Sequence, residues 1–258
     1  MCGIFFSCSE KDHCHPSEAL LEILQKRGPD GVSTSLRMAR FGPTAAPGSG
    51  FEMQMTTSFL TFVSTVLSLR GDTLVSQPLE DPSSGSLLCW NGEAWKTSVG
   101  VVQGNDAEVI FRLFLDATQT HNDGLMDNSF TSEDKLQNLT KHVANIAGPF
   151  AFLFYDAPSQ RVLYGRDALG RRSLLVKRHS LGGLTLCSVS DSSDCEEWEE
   201  VEADGIYMLH LRAGIDSPPT RVYIIDHIPW VMKGLDPDYS RDLVQKASTN
   251  VFPNLKIR

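Results

Sequence analysis

At 258 residues, 41% hydrophobic and 21% charged, the chain has the size and composition of one large globular domain able to bury a substantial core. Its net charge of −9 argues against a phosphate-binding surface, which needs clustered Lys and Arg, and so against a nucleic-acid partner. No basic leader precedes the short N-terminal apolar run, and the longest nearly apolar stretch, at 58–69, is too short to span a bilayer, so no membrane partner is expected.

In chain order, residues 2–8 form the first predicted strand. PSEALLEILQKRG at 16–28 reads as a helix: Ser17 sits at the cap position, Leu20, Leu21 and Leu24 share one face, and Gly28-Pro29 stops it. Segments 32–42, 51–57 and 58–69 read as strands, and a turn region rich in Pro, Ser and Gly fills 78–86. LLCWNGEAW at 87–95 is a strand running into a polar turn. At 105–121, Val109, Ile110, Leu113, Phe114 and Ala117 recur at helical spacing behind a capping box of Asn105 and Glu108. A polar loop at 121–132 leads to a second helix near 133–147. Six strands then follow, starting at Phe150, Arg161, Ser173, Leu184, Gly205 and Arg221. Strands, two central helices and more strands indicate an α+β fold with helices packed on antiparallel sheets. Residues 191–204 hold eight acids and no base, most simply an exposed solvated face. From Pro229 the apolar periodicity fades, so residues 1–228 are expected to form the domain and 229–258 a linker or truncated tail.

Six cysteines in a chain without an export signal point to reduced thiols and a cytoplasmic setting. On that reading the Asn138-Leu139-Thr140 glycosylation triplet is a coincidence. Cys2, Cys8, Cys14, His13 and His15 crowd the N-terminus, but their spacing lacks the close Cys pairs of structural zinc sites. No phosphate-binding glycine loop is present, so no metal and no nucleotide cofactor is expected in this chain. Cys2 has two readings. A single Cys is commonly a small buried hydrophobe. Alternatively, removal of Met1 would leave a thiol and a free α-amine on one residue, a nucleophile with its own base. An unperturbed α-amine titrates near ~7.7–8.0 and a thiol near ~8.5, which suits that pairing. Asn91-Gly92 is either an ordinary turn or an oxyanion hole made from a side-chain amide and a backbone N–H.

Taken together, MCGI at the start, RGPDG at 27–31, NGE at 91–93, GNDAEVI at 104–110, GPFAFLFYD at 148–156 and GRDALGRRSLL at 165–175 resemble, in order, the class II glutamine amidotransferase domain of the asparagine synthetase family. The resemblance covers roughly residues 2 to 227. It implies a four-layer αββα sandwich of the N-terminal nucleophile hydrolase type and hydrolysis of glutamine to glutamate and ammonia through a Cys2 thioester. It also implies a link to asparagine biosynthesis. Cys2 matches the nucleophile, Asn91 and Gly92 match the oxyanion hole, and Glu93 and Asp106 match positions that hold glutamine, with Asp106 receiving the α-ammonium. Arg27, Asp30, Arg166 and Asp167 match turns expected to be structural.

Two departures shape the expectations. The family's arginine for the glutamine α-carboxylate falls on Val66, and Arg70, four residues further along, would lie about 13 Å away on a continuing strand. Ala94, Trp95 and Ser173 also replace the usual Ile, Tyr and Pro. The sequence contains no SGGxDS phosphate loop, so the ATP and Mg requirement of an asparagine synthetase belongs to a missing synthetase domain or to a partner protein that accepts ammonia. The alternative reading, motivated by Val66, is a non-enzymatic domain acting as a glutamine sensor or protein-interaction module.

Overall fold

The computed structural model describes residues 1–41, 56–118, 132–180, 182–191, 198–211 and 224–230. Within them are three helices, α1 (Glu18–Arg27), α2 (Asp106–Thr118) and α3 (Ser132–Ala144). The longer strands are β1 (Gly3–Ser9), β2 (Gly31–Phe41), β3 (Thr56–Val66), β5 (Leu87–Gly92), β8 (Phe150–Asp156), β9 (Arg161–Arg166), β10 (Leu175–Arg178), β11 (Leu184–Cys187), β13 (Gly205–His210) and β14 (Ile224–Pro229). Four two-residue strands complete the set: β4 (Leu79–Glu80), β6 (Lys96–Thr97), β7 (Gly100–Val101) and β12 (Glu199–Glu200).

The strands form two six-stranded sheets and a small hairpin. One sheet has the order β12-β10-β11-β1-β3-β2, the other β14-β13-β9-β8-β5-β4, and β6 pairs with β7. Alternation along each strand sends side chains to opposite faces, so each sheet buries two apolar surfaces. Ile4, Phe6, Leu60 and Phe62 from the first sheet meet Leu87, Cys89, Leu153 and Tyr164 from the second. The opposite face of the second sheet presents Leu88, Trp90, Phe152 and Phe154 to Ile110, Phe114 and Leu139 of α2 and α3. On the far side of the first sheet, Phe5, Val63 and Cys187 pack under Leu20 and Leu24 of α1. The order of layers is helix, sheet, sheet, helices. This is the expected αββα sandwich.

Local chemistry sets the element boundaries. Ser17 caps α1, its Oγ accepting from the Leu20 N–H at 3.2 Å, and Gly28 closes the helix with an N–H donated to the Leu24 carbonyl. Asn105 Oδ1 accepts from the Glu108 N–H at 3.3 Å ahead of α2. Helix α3 stops three residues short of the expected end, because the Asn145 and Ile146 N–H groups bond back only three residues, to His142 and Val143.

The strand expected at 58–69 differs more. It begins at Thr56, so Thr57 and its neighbour belong to β3 and not to a separate strand; residues 51–55 of that expected strand lie outside the described residues. It ends at Val66, opposite Gly31 of β2, because the next amides find partners outside the sheet. The Leu67 N–H goes to Cys2 Sγ and the Ser68 N–H to Asp30 Oδ2. In the acidic stretch Glu199, Glu200, Glu202 and Asp204 are exposed, with Glu199 and Glu200 pairing at the surface with Arg178 of β10 and Arg166 of β9; residues 192–197 lie outside the described residues. Of the expected loop at 121–132, residues 121–131 lie outside the described residues, as do 231–258 of the expected tail. No helix among the described residues is long and apolar enough to cross a membrane.

Candidate active site

Both sheets end at one cleft. Cys2 precedes β1, Val66 and Leu67 leave β3, Asn91 and Gly92 end β5, and Asp106 opens α2. All of them, together with Glu93, line one narrow cleft. The five residues assigned from sequence to nucleophile, oxyanion and substrate roles therefore come together in space although they span 105 positions of chain.

Cys2 is half-buried between strand ends. Its Sγ accepts the Leu67 N–H at 3.4 Å and lies 3.8 Å from the Leu67 carbonyl oxygen. Burial pushes its thiol pKa up, against the opposing effect of the Leu67 N–H. The Cys2 carbonyl accepts from Arg27 Nε at 3.3 Å, and the Met1 α-amine donates to the Arg27 carbonyl at 3.3 Å. Burial lowers the pKa of that amine, and the Arg27 and Arg172 charges act in the same direction. Arg27 therefore does more than shape a turn, because it grips the backbone on both sides of the Met1–Cys2 peptide.

Asn91 carries the most informative contacts of the site. It is 1% exposed, and neither its Oδ1 nor its Nδ2 has a hydrogen-bond partner among the described residues. A buried polar group left unpaired costs about 1–3 kcal/mol, and native structures keep few of them. Strand pairing holds it rigidly, with Asn91 opposite Ala151 and Gly92 opposite Phe150. Gly92 is required here for close packing: a Cβ would lie 2.7 Å from both Phe150 Cβ and the Pro149 carbonyl oxygen.

Asp106 is buried, and its Oδ2 accepts from Trp90 Nε1 at 3.0 Å and the Ala94 N–H at 2.8 Å. These donors and the first turn of α2 hold the carboxylate in the cleft. Glu93 also reaches the cleft, but its Oε1 pairs with Arg172 Nη2 at 3.3 Å. The motif residues Arg166 and Asp167 are structural, as expected. Asp167 accepts from the Phe150, Leu169 and Arg171 amides, and the buried Arg166 guanidinium bonds to the Arg172, Val201 and Gly170 carbonyls.

Three cleft residues were not assigned roles from sequence. Arg172 contacts Glu93 and, through Nη1, Met1 Sδ at 3.3 Å; its place in GRDALGRRSLL was the available signal. Gln77, 4% exposed, accepts the Trp90 N–H at 2.7 Å and has no sequence signal. Arg70, distant from the Val66 position on a continuing strand, lines the same cleft because β3 stops four residues before it. Cys8, Cys14 and His15 line one hollow beside β1, but among the described residues no three His, Cys, Asp or Glu side chains converge as metal ligands: Cys8 is buried, Cys14 is exposed, and His13 Nδ1 lies 3.3 Å from Thr61 Oγ1.

No protein-family model matches the chain. It is 30% identical over 236 residues to asparagine synthetase domain-containing protein 1 of Mus musculus, covering 89% of this chain and 32% of that protein. The Gallus gallus protein of the same name is 31% identical over 227 residues, covering 86% of this chain and 28% of that protein. The chain is a homologue of the asparagine synthetase domain-containing proteins. It spans about a third of the length of these relatives. Among solved structures, glutamine phosphoribosylpyrophosphate amidotransferase from B. subtilis matches 89% of this chain and 49% of that one, at a TM-score of 0.51 and 16% identity. That likeness extends the expected amidotransferase sandwich to this homologue as a fold.

Proposed function

We infer that the chain is the glutamine-hydrolysing half of an asparagine synthetase-like protein, with residues 1–228 as the amidotransferase domain. The observation that carries this reading is the buried Asn91 amide, unpartnered and held in the cleft that contains the Cys2 thiol. Removal of Met1 transfers the free α-amine to Cys2, where it serves as the base. The thiol then adds to the glutamine side-chain carbonyl, its proton passing to the amine. Asn91 Nδ2 and the Gly92 N–H stabilise the oxyanion. Collapse of this intermediate breaks the C–N bond, and the amine returns the proton to the departing ammonia. Water then cleaves the Cys2 thioester to release glutamate and regenerate the thiol. Asp106 holds the substrate ammonium. Arg172 holds Glu93 at the rim, so Glu93 is placed for an outer contact.

The proposed ammonia acceptor is a synthetase segment or partner beyond this chain, and any ATP and Mg requirement belongs to it. The deciding experiment treats Met1-processed protein with a diazo-ketone analogue of glutamine and maps the adduct by mass spectrometry. Stoichiometric labelling of Cys2, blocked by glutamine and accompanied by glutamate release from glutamine, supports the reading. Labelling spread over Cys14 and other thiols, with no glutamate released, sinks it.

A further inference from the structure

Four strands form the outer edges of the two sheets: β12 and β2 in the first, β14 and β4 in the second. An open edge presents a row of unpaired N–H and C=O groups, which proteins shorten, charge or interrupt with proline. β12 and β4 have two residues each, and β14 carries Asp226, His227 and Pro229. β2 runs for 11 residues with no proline and no acid, and β3 is its only strand partner among the described residues. Of its two arginines, Arg37 pairs with Glu80 of β4 at 2.8 Å, while Arg40 is exposed. Val32, Leu36, Met38 and Arg40 share one face. The first three are 48%, 44% and 55% exposed, since the apolar cluster under α1 includes Phe5 of β1 and Val63 of β3 but no residue of β2.

This edge is complementary to itself in one register. Asp30, just ahead of β2, is exposed and carries the opposite charge to Arg40 near the far end of the strand; neither has an ion-pair partner among the described residues. Antiparallel pairing of two β2 strands, with Ser35 opposite Ser35, sets Arg40 against Asp30 of the second copy, Met38 against Val32 and Leu36 against Thr34. Each contact occurs twice about the two-fold axis. The apolar stripe then continues across the junction with no like charges opposed. A two-residue slip sets Arg40 opposite Val32 or carries it past Asp30 to Gly28, so this register alone pairs both charges. We propose that the chain forms a two-fold homodimer in which β2 pairs with β2 of a second copy, joining the first sheets of both into one. The junction is a single pair of strands, about 36 Å long at strand rise, so the dimer is reversible and concentration-dependent. No residue lining the cleft takes part, and the dimer is independent of glutamine hydrolysis.

The test is sedimentation equilibrium of the whole chain over concentrations reaching the high micromolar range. The expected result is a monomer–dimer equilibrium. Arg40→Asp, at an exposed position, raises the dissociation constant about ten-fold or more, because two exposed ion pairs become two repulsions. Mixing that variant with Asp30→Arg protein restores association, since one chain then offers only acids and the other only bases. Asp30 also accepts the Ser68 N–H, so the register is tested separately at exposed positions. Val32→Cys and Met38→Cys proteins, mixed and mildly oxidised in a reducing-agent-free buffer, form a disulfide between positions 32 and 38 of different copies, mapped by mass spectrometry. Met38→Cys protein alone forms none at this position, because its two thiols stand about 20 Å apart across the axis. A chain that stays monomeric at every concentration overturns the proposal. So does a dimer that Arg40→Asp leaves unchanged, or one in which positions 32 and 38 do not cross-link, because its contact then lies elsewhere.

Discussion

The two sheets contribute to the cleft in different ways. On the side of the second sheet, Asn91 and Gly92 lie inside β5, locked opposite Ala151 and Phe150, and Asp106 is held by Trp90 and Ala94 at the start of α2. Every group there sits on a paired strand or a capped helix, so its position follows from its place in the sequence motif. The first sheet offers only ends. Cys2 precedes β1, and Leu67 to Arg70 follow β3, held by side-chain and sulfur contacts in place of a ladder. Residues on such a segment can change roles without disturbing the sheet.

The largest effect that would test this contrast belongs to the nucleophile. Cys2→Ala is expected to remove glutamate release entirely, a loss on the order of 10⁶-fold if it matches nucleophile deletions elsewhere. Substitution of Cys8, Cys89 or Cys187 leaves kcat within a few-fold if the protein folds. These three are buried and their thiols are pushed up to about 12.

Next comes the rigid side of the cleft. Asn91→Ala is expected to lower kcat by about 10²–10³-fold, as for loss of an oxyanion donor, while KM and thermal stability change little. The stability readout is the discriminating one: an Asn91 that served the fold would unfold when truncated, whereas its unpartnered amide contributes no internal hydrogen bond to lose.

A smaller effect tests the β3 exit. Val66→Arg should raise glutamine affinity about ten-fold, within the range of a charged hydrogen bond. Titration calorimetry measures it. No gain in a folded protein would mean that the end of β3 does not face the substrate carboxylate.

The smallest effect is on reactivity with pH. Burial raises the Cys2 thiol pKa, so less thiolate is present at neutral pH than for a free cysteine. In protein that retains Met1, the alkylation rate of Cys2 should rise with pH to a midpoint above the ordinary thiol range. A midpoint below that range would show that the Arg27 charge outweighs burial at this sulfur.

Much of the fold was legible because its signals are local. Alternating apolar residues marked β1, β8 and β9, while Ser17 and Asn105 marked the starts of α1 and α2 by their capping side chains. The motif residues of the cleft were legible for a related reason: NGE and NDAEVI each place their polar groups at the end of a regular element. The end of β3 was not legible. Nothing in Val66-Leu67-Ser68-Leu69 distinguishes a continuing strand from one that stops, because the decision is made by Cys2 and Asp30, distant residues whose sulfur and carboxylate take the next two amides.

The sequence by itself offered candidates: Cys2 and Asn91-Gly92 from side-chain chemistry and short-range pattern, and Asp106 as ammonium partner through the resemblance of its ordered motifs to the class II amidotransferase domain. It also determined the layered fold, through the periods of its apolar residues. Only the tertiary structure decided that Glu93 is paired with Arg172, that both polar atoms of Asn91 are buried without partners, and that Arg70 stands one residue's width from Asp106 across Ala94. Pairing, burial and the distance between charges are properties of chain segments far apart in sequence, and they exist only once the two sheets and α2 have packed.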